Sequence, residues 1–145
     1  MLEYSVNYKK GCAFIIEFKL VEFHLRYWEQ INELNKLEGW QELVESKDNY
    51  KKSLENSITI VAVDKCDNVI GFIRGLTDGY TTLFICELLI MEEKRGMGIG
   101  NSLITHLHKQ YPNTRIDLLA TDRSAKFYEK QDFRIFHGYR KNLIN

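Results

Sequence analysis

The stretch from Glu93 to Gly100, E-K-R-G-M-G-I-G, combines two cations with three glycines at alternate positions. It follows the apolar run L-F-I-C-E-L-L-I-M and precedes a helical pattern, so we predict a turn between a strand and a helix. Such a turn leaves backbone N–H groups free at the helix N-terminus, where the helix dipole also favours an anion. Glycine is needed where a side chain would block that anion or where φ must be positive. The stretch therefore predicts a diphosphate site, with Lys94 and Arg95 at its rim.

Two well-known phosphate motifs do not account for this stretch. The segment G-M-G-I-G departs from the dinucleotide fingerprint G-x-G-x-x-G, and no second βαβ half follows it. The triphosphate loop G-x-x-x-x-G-K-S/T is absent from the sequence. Taken alone, the glycines are also compatible with a tight turn that feeds a helix and binds nothing.

The composition indicates one globular domain spanning residues 1–145, with 44% hydrophobic residues for its core. Its 20 basic and 20 acidic residues cancel, which gives no support to nucleic-acid binding. No run of about 18 apolar residues is present, so we expect no membrane partner. The first ten residues lack the cationic-then-apolar order of a secretory signal, and we expect a cytoplasmic protein. The cysteines Cys12, Cys66 and Cys86 form no C-x-x-C pair and are expected to be reduced thiols.

The hydrophobic pattern predicts an α+β fold. Leu2–Val6 alternates weakly and is predicted to be a first strand. The segment 13–37 shows both a helical face and a strand-like alternation. Because it is long and free of glycine and proline, we predict one or two helices there, ended by Gly39. Asp48–Glu55 is predicted to be a short helix capped by Asp48. The later elements are predicted as strands Ile58–Asp64, Val69–Leu76 and Thr82–Ile90, helix Gly98–Gln110, strand Ile116–Thr121, helix Asp122–Gln131 and a final strand Phe133–Tyr139.

Two motifs, in this order, resemble the GNAT superfamily of acetyl-CoA-dependent N-acetyltransferases. The first, I-M-E-E-K-R-G-M-G-I-G, is similar to the family pattern V-x-P-x-x-R-G-x-G-I-G. The second, F-Y-E-K-Q-D-F, is similar to F-Y-x-K-x-G-F on the following helix. The resemblance covers roughly residues 57–139. It implies a three-layer α+β fold with a mixed, mostly antiparallel central sheet, splayed at the cofactor cleft and flanked by helices.

The resemblance implies acetyl-CoA as co-substrate and no metal. In the family, amides of the glycine turn bind the CoA pyrophosphate, and the pantetheine arm lies along the central strand like an added strand. Two positions depart from the pattern: Met97 stands where Lys or Gln is common, and Asp132 stands where glycine is usual. The cofactor-binding positions are Leu89, Ile90, Met91, Arg95, Gly96, Met97, Gly98, Ile99, Gly100, Asn101 and Ser102.

Two residues are candidates for the chemistry. Tyr128 matches the family tyrosine that acts as general acid toward the thioester sulfur, although a core aromatic is the alternative. Glu87 is an ionisable residue inside an apolar run, which is costly to bury unless it is paired or functional. It is a candidate general base, with a structural carboxylate bonded to a neighbouring strand or loop as the alternative.

The acceptor site is less defined by the sequence. Trp28 and Trp40 could wall a cationic amine, but core aromatics are also compatible with both. Arg74, Tyr80 and His137 are further candidates for contacts with the acceptor. The other histidines are expected to be structural, and no spacing indicates a metal site.

The function implied by the resemblance is acetyl transfer from acetyl-CoA to a primary amine of a small molecule, by direct attack in a ternary complex. Two alternatives stay open: acetylation of a protein N-terminus or lysine, and a non-catalytic member that binds acyl-CoA. The family also includes dimers joined through their C-terminal strands, so a homodimer is an expectation by analogy.

Overall fold

The computed structural model describes the backbone of residues 2–8 and 14–144, and side chains from residue 16 to residue 144. Within this part of the chain, six strands form one sheet in sequence order. Strands β1 to β5 pair antiparallel with their neighbours, and β6 pairs parallel with β5. The strands are β1 (Leu2–Tyr8), β2 (Phe14–Glu22), β3 (Ile58–Val63), β4 (Val69–Thr77), β5 (Thr82–Ile90) and β6 (Arg115–Leu118).

Helices flank this sheet, so the predicted α+β architecture with a mixed, mostly antiparallel sheet is confirmed. The α-helices are α1 (Trp28–Glu38), α2 (Gln41–Glu45), α3 (Lys47–Glu55), α4 (Ile99–Gln110) and α5 (Asp122–Glu129), and short 3₁₀ turns lie at Leu25–Tyr27 and Glu92–Lys94. Among the described residues, no helix has the length and apolarity needed to cross a bilayer. Cys66 and Cys86 are free thiols, while Cys12 lies outside the described residues.

The core has two halves, one on each face of the sheet. On the first face, which we call the α1–α3 face, Ile31, Tyr50 and Leu54 pack against Phe72 and Leu89. The second, the α4 face, is an equally apolar cluster. Its most buried members include Ile60, Ile73, Leu83, Ile85, Ile99, Leu103 and Leu107. The sheet is therefore covered on both sides, as the near-continuous apolar runs of β3 to β5 indicate.

The helical prediction for segment 13–37 is wrong over its first part, because Phe14–Glu22 is strand β2. Phe18 and Leu20 point into the core of the α4 face, and Val21 points to the other face, as strand alternation requires. Leu25, which the helical pattern predicts to be buried, is 48% exposed. The local sequence fits a helix and a strand equally well. The backbone hydrogen bonds that β2 forms with β1 and β3 favour the strand.

The end of the first long helix is predicted correctly. Gly39 follows α1 in the left-handed conformation, with φ of 81°, and its N–H donates to carbonyls of the last turn. Helix α3 begins at Lys47 with Ser46 at its N-cap position, so Asp48 lies in the first turn and is not the cap.

The predicted final strand Phe133–Tyr139 is not formed. This segment has no regular secondary structure, and its apolar side chains Ile135, Phe136 and Tyr139 are exposed. Alternation alone does not make a strand, because an isolated extended segment has no partner for its backbone groups. Asp132 before it has φ of 64°, so aspartate adopts the left-handed turn that glycine usually supplies.

The strand assignment of β2 can be tested with two identical substitutions. Leu20→Ala should destabilise the protein by about 2–5 kcal/mol, since Leu20 is only 2% exposed and its loss leaves a cavity. Leu25→Ala should cost less than about 1 kcal/mol because that side chain is half exposed. Urea unfolding of both variants measures the difference, and equal losses would support the helical pattern instead.

Candidate active site

The glycine turn leads into α4 with two residues in the left-handed region. Gly96 has φ of 75°, and Gly98, at the N-cap position of α4, has φ of 82°. Two hydrogen-bonded backbone N–H groups border the turn. The N–H of Arg95 donates to the Glu92 carbonyl, and the N–H of Ser102 donates to the Gly98 carbonyl. Between them, the amides of residues 96 to 101 donate to no acceptor among the described residues. These six N–H groups, at a helix N-terminus, form a cradle for an anion.

Arg95 and Ser102, at the borders of this cradle, are already engaged. The guanidinium of Arg95 donates from Nε to the Ile90 carbonyl at 2.9 Å and from Nη2 to Glu38 Oε2 at 2.6 Å. The Ser102 hydroxyl donates to the Gly98 carbonyl at 3.0 Å. Of the predicted anion-binding positions, residues 96 to 101 therefore keep backbone amides that bond to no described residue. Arg95 instead links the end of α1 to the end of β5.

The edge of β5 toward β6 is open near the turn. Strand β6 pairs with β5 only from Thr82 to Ile85, and no described strand pairs on that side with residues 86–90. The Met91 amide donates to the Ile70 carbonyl of β4 at 2.8 Å. Successive residues of a strand direct their backbone N–H and C=O groups to opposite edges. The backbone groups of Ile90 therefore face the opening, whereas those of Leu89 and Met91 face β4. The open edge, next to the cradle, can accept an extended molecule as an added strand.

A bulge in β5 sets the direction of Glu87. Arg74 pairs with Glu87 and Gly75 with Ile85, so Cys86 has no partner on β4. Before the bulge, Leu83 and Ile85 point to the α4 face, but Leu89 points to the α1–α3 face. The extra residue thus reverses the alternation and turns Glu87 to the α1–α3 face.

Glu87 forms a buried bidentate ion pair with Arg74. Arg74 Nη2 lies 2.7 Å from Glu87 Oε2, and Nε lies 2.9 Å from Oε1. The two side chains are only 14% and 7% exposed, and Arg74 Nη1 also donates to Ser57 at 3.1 Å. This geometry matches the alternative of a carboxylate bonded to a neighbouring strand. Any role of Glu87 as a base must act with the ion pair in place.

Tyr128 lies on the opposite side of the sheet, in α5. Its ring packs edge-on between Phe127 and Phe133, with centroids 5.1 and 5.5 Å away. Burial raises the pKa of its hydroxyl, so the phenol keeps its proton at neutral pH. It lines a cavity of about 1570 Å³ between α4, β6, α5 and the C-terminal segment, together with Asn101 and His137.

Gly100 allows α5 to approach α4 closely. A Cβ at this position would lie 3.0 Å from Cζ of Phe127. The glycine therefore has a packing role as well as a free amide, and it helps to position the neighbouring Tyr128.

The candidate acceptor residues are not all brought together. Trp28 is a buried core residue packed on Tyr50, and Trp40 is half buried at the start of α2. Tyr80 is exposed in the turn before β5, roughly 25 Å from the glycine turn at the other end of that strand. Within the described residues, no group of three or more His, Cys, Asp or Glu side chains could hold a metal.

Three polar residues of the α1–α3 face were missed by the sequence reasoning. They are Asn32 and Asn35 of α1 and Tyr50 of α3, all buried. A signal for the first two was present, because asparagine at positions i and i+3 interrupts the apolar face formed by Ile31 and Leu34. A polar side chain on such a face calls for a partner or a function.

Comparison with known proteins is decisive for the family. The model of the acetyltransferase (GNAT) domain matches residues 55–135, more than half of the chain. The chain belongs to the GNAT family. A comparison of its sequence with curated proteins gives no match.

Solved structures of GNAT proteins share the fold. A GNAT-family acetyltransferase from Streptococcus pneumoniae is 22% identical, with a TM-score of 0.71, covering 88% of this chain and 98% of its own. An acetyltransferase structure from Deinococcus radiodurans is 19% identical, with a TM-score of 0.69 and coverages of 86% and 87%. An aminoglycoside 6'-N-acetyltransferase, solved with coenzyme A, is 22% identical, with a TM-score of 0.67 and coverages of 82% and 86%.

The Arg74–Glu87 pair gives a test of its own. Glu87→Gln should destabilise this GNAT protein by about 3–5 kcal/mol, because it leaves the buried guanidinium without a counter-charge. The matched control is Asp117→Asn, which removes the acid of the exposed Arg115–Asp117 pair and should change stability by less than about 1 kcal/mol. Denaturant unfolding of both variants compares them. A Glu87→Gln variant as stable as the control would show that Glu87 is not needed to hold Arg74.

Proposed function

We propose that this protein is an N-acetyltransferase that transfers the acetyl group of acetyl-CoA to a primary amine of a small molecule. The observation that carries the proposal is the cradle of free amides at residues 96 to 101, next to the open edge of β5. The cradle suits the pyrophosphate of CoA, and the open edge suits its pantetheine arm. The coenzyme A bound to the similar aminoglycoside acetyltransferase supports this assignment.

In the proposed reaction, a neutral amine attacks the thioester carbonyl in a ternary complex. The new C–N bond forms, the C–S bond breaks, and the departing thiolate takes a proton. We propose that the Tyr128 hydroxyl donates that proton. Burial raises the pKa of this hydroxyl, so it is protonated and able to act as the acid. The cavity that Tyr128 lines lies on the α4 side of the sheet, so the acid would approach the sulfur from that side.

The amine must lose a proton before or during attack. A lysine-like amine has a pKa of about 10.4, so near neutral pH only about one molecule in a thousand is neutral, which is equivalent to about 4 kcal/mol. Glu87 points to the side opposite Tyr128, where an acceptor would enter. Its oxygens bind Arg74 but keep further lone pairs, so it can accept a hydrogen bond from a water that relays the proton.

We also propose that the enzyme is cytoplasmic, because the free thiols of Cys66 and Cys86 fit the reducing cytoplasm.

We further propose a homodimer. A dimer joined through residues 133–144 would cover the exposed side chains of Ile135, Phe136 and Tyr139. Sedimentation at micromolar concentration tests this assembly.

The cofactor site can be tested with a matched pair of glycines. Gly96→Ala and Gly79→Ala replace glycines with φ of 75° and 83°, and in neither case does a Cβ meet another atom within 4 Å. Each should cost about 1–2 kcal/mol through left-handed strain. Only Gly96→Ala should also weaken acetyl-CoA binding, by roughly tenfold or more, because it disturbs amides that bind a charged ligand.

Calorimetry and thermal unfolding with acetyl-CoA measure both effects. For the wild-type protein, acetyl-CoA at a hundredfold excess over Kd should stabilise the fold by about 2.7 kcal/mol. No stabilisation by millimolar acetyl-CoA would mean that the turn is structural, and the proposed function would be wrong.

The role of Tyr128 can be separated from its packing. Tyr128→Phe keeps the aromatic ring between Phe127 and Phe133 but removes the proton donor, so turnover should fall roughly tenfold or more. The Kd for acetyl-CoA should stay within about twofold. Tyr111→Phe, a tyrosine packed against the same core, serves as the control and should leave turnover unchanged. Equal turnover in wild type and Tyr128→Phe would exclude Tyr128 as the acid.

A further inference from the structure

Four buried polar atoms on the α1–α3 face have no hydrogen-bond partner among the described residues. They are Oδ1 of Asn32, Oδ1 and Nδ2 of Asn35, and the hydroxyl of Tyr50. Asn35 is 0% exposed and Tyr50 is 3% exposed. Leaving one such group unsatisfied costs about 1–3 kcal/mol, and native proteins contain few of them. A cluster of four therefore calls for an occupant that completes it.

Asn35 and Tyr50 lie next to the Arg74–Glu87 pair, and Asn32 is one helical turn from Asn35. Asn32 and Asn35 are three residues apart and lie on the same side of α1. Burial raises the pKa of the Tyr50 hydroxyl, and the nearby charge of Glu87 raises it further. Both Asn35 and Glu87 lie close enough to interact with this hydroxyl, but neither forms a hydrogen bond of good geometry with it. The guanidinium of Arg74 lies 5.8 Å from the centre of the Tyr50 ring.

Two links place this cluster beside the open edge of β5. Glu87 is on β5 itself, three residues before Ile90, whose backbone faces the opening. Asn35 lies one turn before Glu38, which is bound to Arg95 and through it to the Ile90 carbonyl. The cluster is therefore on the acceptor side of the proposed thioester position, across the sheet from Tyr128.

Helix α2, which contacts both α1 and α3, is loosely held. Helix α2 contributes no buried residue, and its neighbourhood reaches the core only through the half-buried side chains of Trp40 and Leu43. A segment with so few buried contacts can open at small cost in free energy. A small molecule could enter the cluster by this route.

We infer that Asn32, Asn35 and Tyr50 bind the body of the amine acceptor and select one that carries hydroxyl or amide groups. The inference rests on the proposed function. The three side chains offer neutral donors and acceptors, and the negative charge of Glu87 is balanced by Arg74. An acceptor with a second positive charge would find no free negative charge in this site, because Glu87 is paired with Arg74. An apolar acceptor would leave the four buried polar atoms without hydrogen bonds. A site built to hydrogen-bond its substrate rejects an analogue that lacks those groups.

The competing explanation is that buried water fills the cluster and serves only the fold. Two tyrosines of the same core distinguish these possibilities. Tyr27, also a buried residue, donates from its hydroxyl to Asp67 at 2.7 Å and accepts from Arg26 at 2.6 Å. The Tyr50 hydroxyl, in contrast, forms no hydrogen bond of good geometry with any described residue. Removing a bonded hydroxyl destabilises a protein, but removing an unpaired one does not.

The experiment compares Tyr50→Phe with Tyr27→Phe in thermal unfolding and in steady-state kinetics. Tyr27→Phe should lower Tm and leave KM for the amine unchanged. Tyr50→Phe should leave Tm of the acceptor-free protein unchanged or higher, raise KM for a polar amine roughly tenfold, and keep the Kd for acetyl-CoA. A fall in Tm with unchanged KM for Tyr50→Phe would overturn the inference and support structural water.

The acceptor class is tested with two amines of the same shape, 2-amino-1,3-propanediol and 3-aminopentane, and with 1,4-diaminobutane as a second cation. Calculated per neutral amine, kcat/KM should favour the diol roughly tenfold or more over both others, and Tyr50→Phe should reduce this preference. Equal or better use of 3-aminopentane would overturn the inference and leave the proposed function intact. If acetyl-CoA binds but no amine, including peptide amines, is acetylated, the proposed function fails, and the Tm comparison still decides between ligand site and structural water.

Discussion

The separation of β5 from β6 is the constraint on which the site depends. The two strands pair over four residues and then part, so among the described residues the second half of β5 has no strand partner on one side. An exposed edge of this kind is normally a liability in a folded protein. Here it lies directly before the glycine turn, whose free amides add a second unsatisfied region. Both are backbone features, and together they suit the long molecule with a charged end that the proposed function requires.

The bulge at Cys86 adds direction to this opening. In a regular strand without the bulge, Glu87 would point to the same face as Ile85, two residues earlier, and its carboxylate would lie in the apolar core of the α4 face. With it, Glu87 reaches the α1–α3 face and the guanidinium of Arg74. The bulge thus places the carboxylate of Glu87 on one side of the opening, while the phenol of Tyr128 lies on the other. In the proposed reaction, this opposition would allow the acid and the acceptor to approach the thioester from two sides.

Local rules in the sequence account for the parts of the fold that local geometry decides. The positive φ of Gly96 and Gly98, the cap at Gly39 and the meander from Ile58 to Ile90 were predictable, because each follows from glycine or from a clear period. Strand β2 was not predictable, since its helical and strand patterns are equally good and only pairing with β1 and β3 decides. The same holds for Glu87, whose partner Arg74 is 13 residues away. The predicted strand after Asp132 was wrong for the opposite reason. Its sequence alternates like a strand, but it pairs with no described strand.

Arg95 shows how a residue of a binding motif can have a structural role of its own. The sequence places a cation at the rim of a phosphate cradle, where direct contact with the anion is the natural expectation. In the structure its guanidinium binds Glu38 and the Ile90 carbonyl, and its amide binds Glu92. In the proposed site the anion would be bound by backbone amides, which is compatible with Met97 at a position where a polar side chain is common. The cation instead joins the helix that carries Asn35 to the strand that carries Glu87. Arg95 therefore links α1 to the end of β5 through an ion pair with Glu38, a partner 57 residues away that no local motif could have indicated. In the proposed function, this link would hold the cofactor side and the acceptor side in a fixed relation.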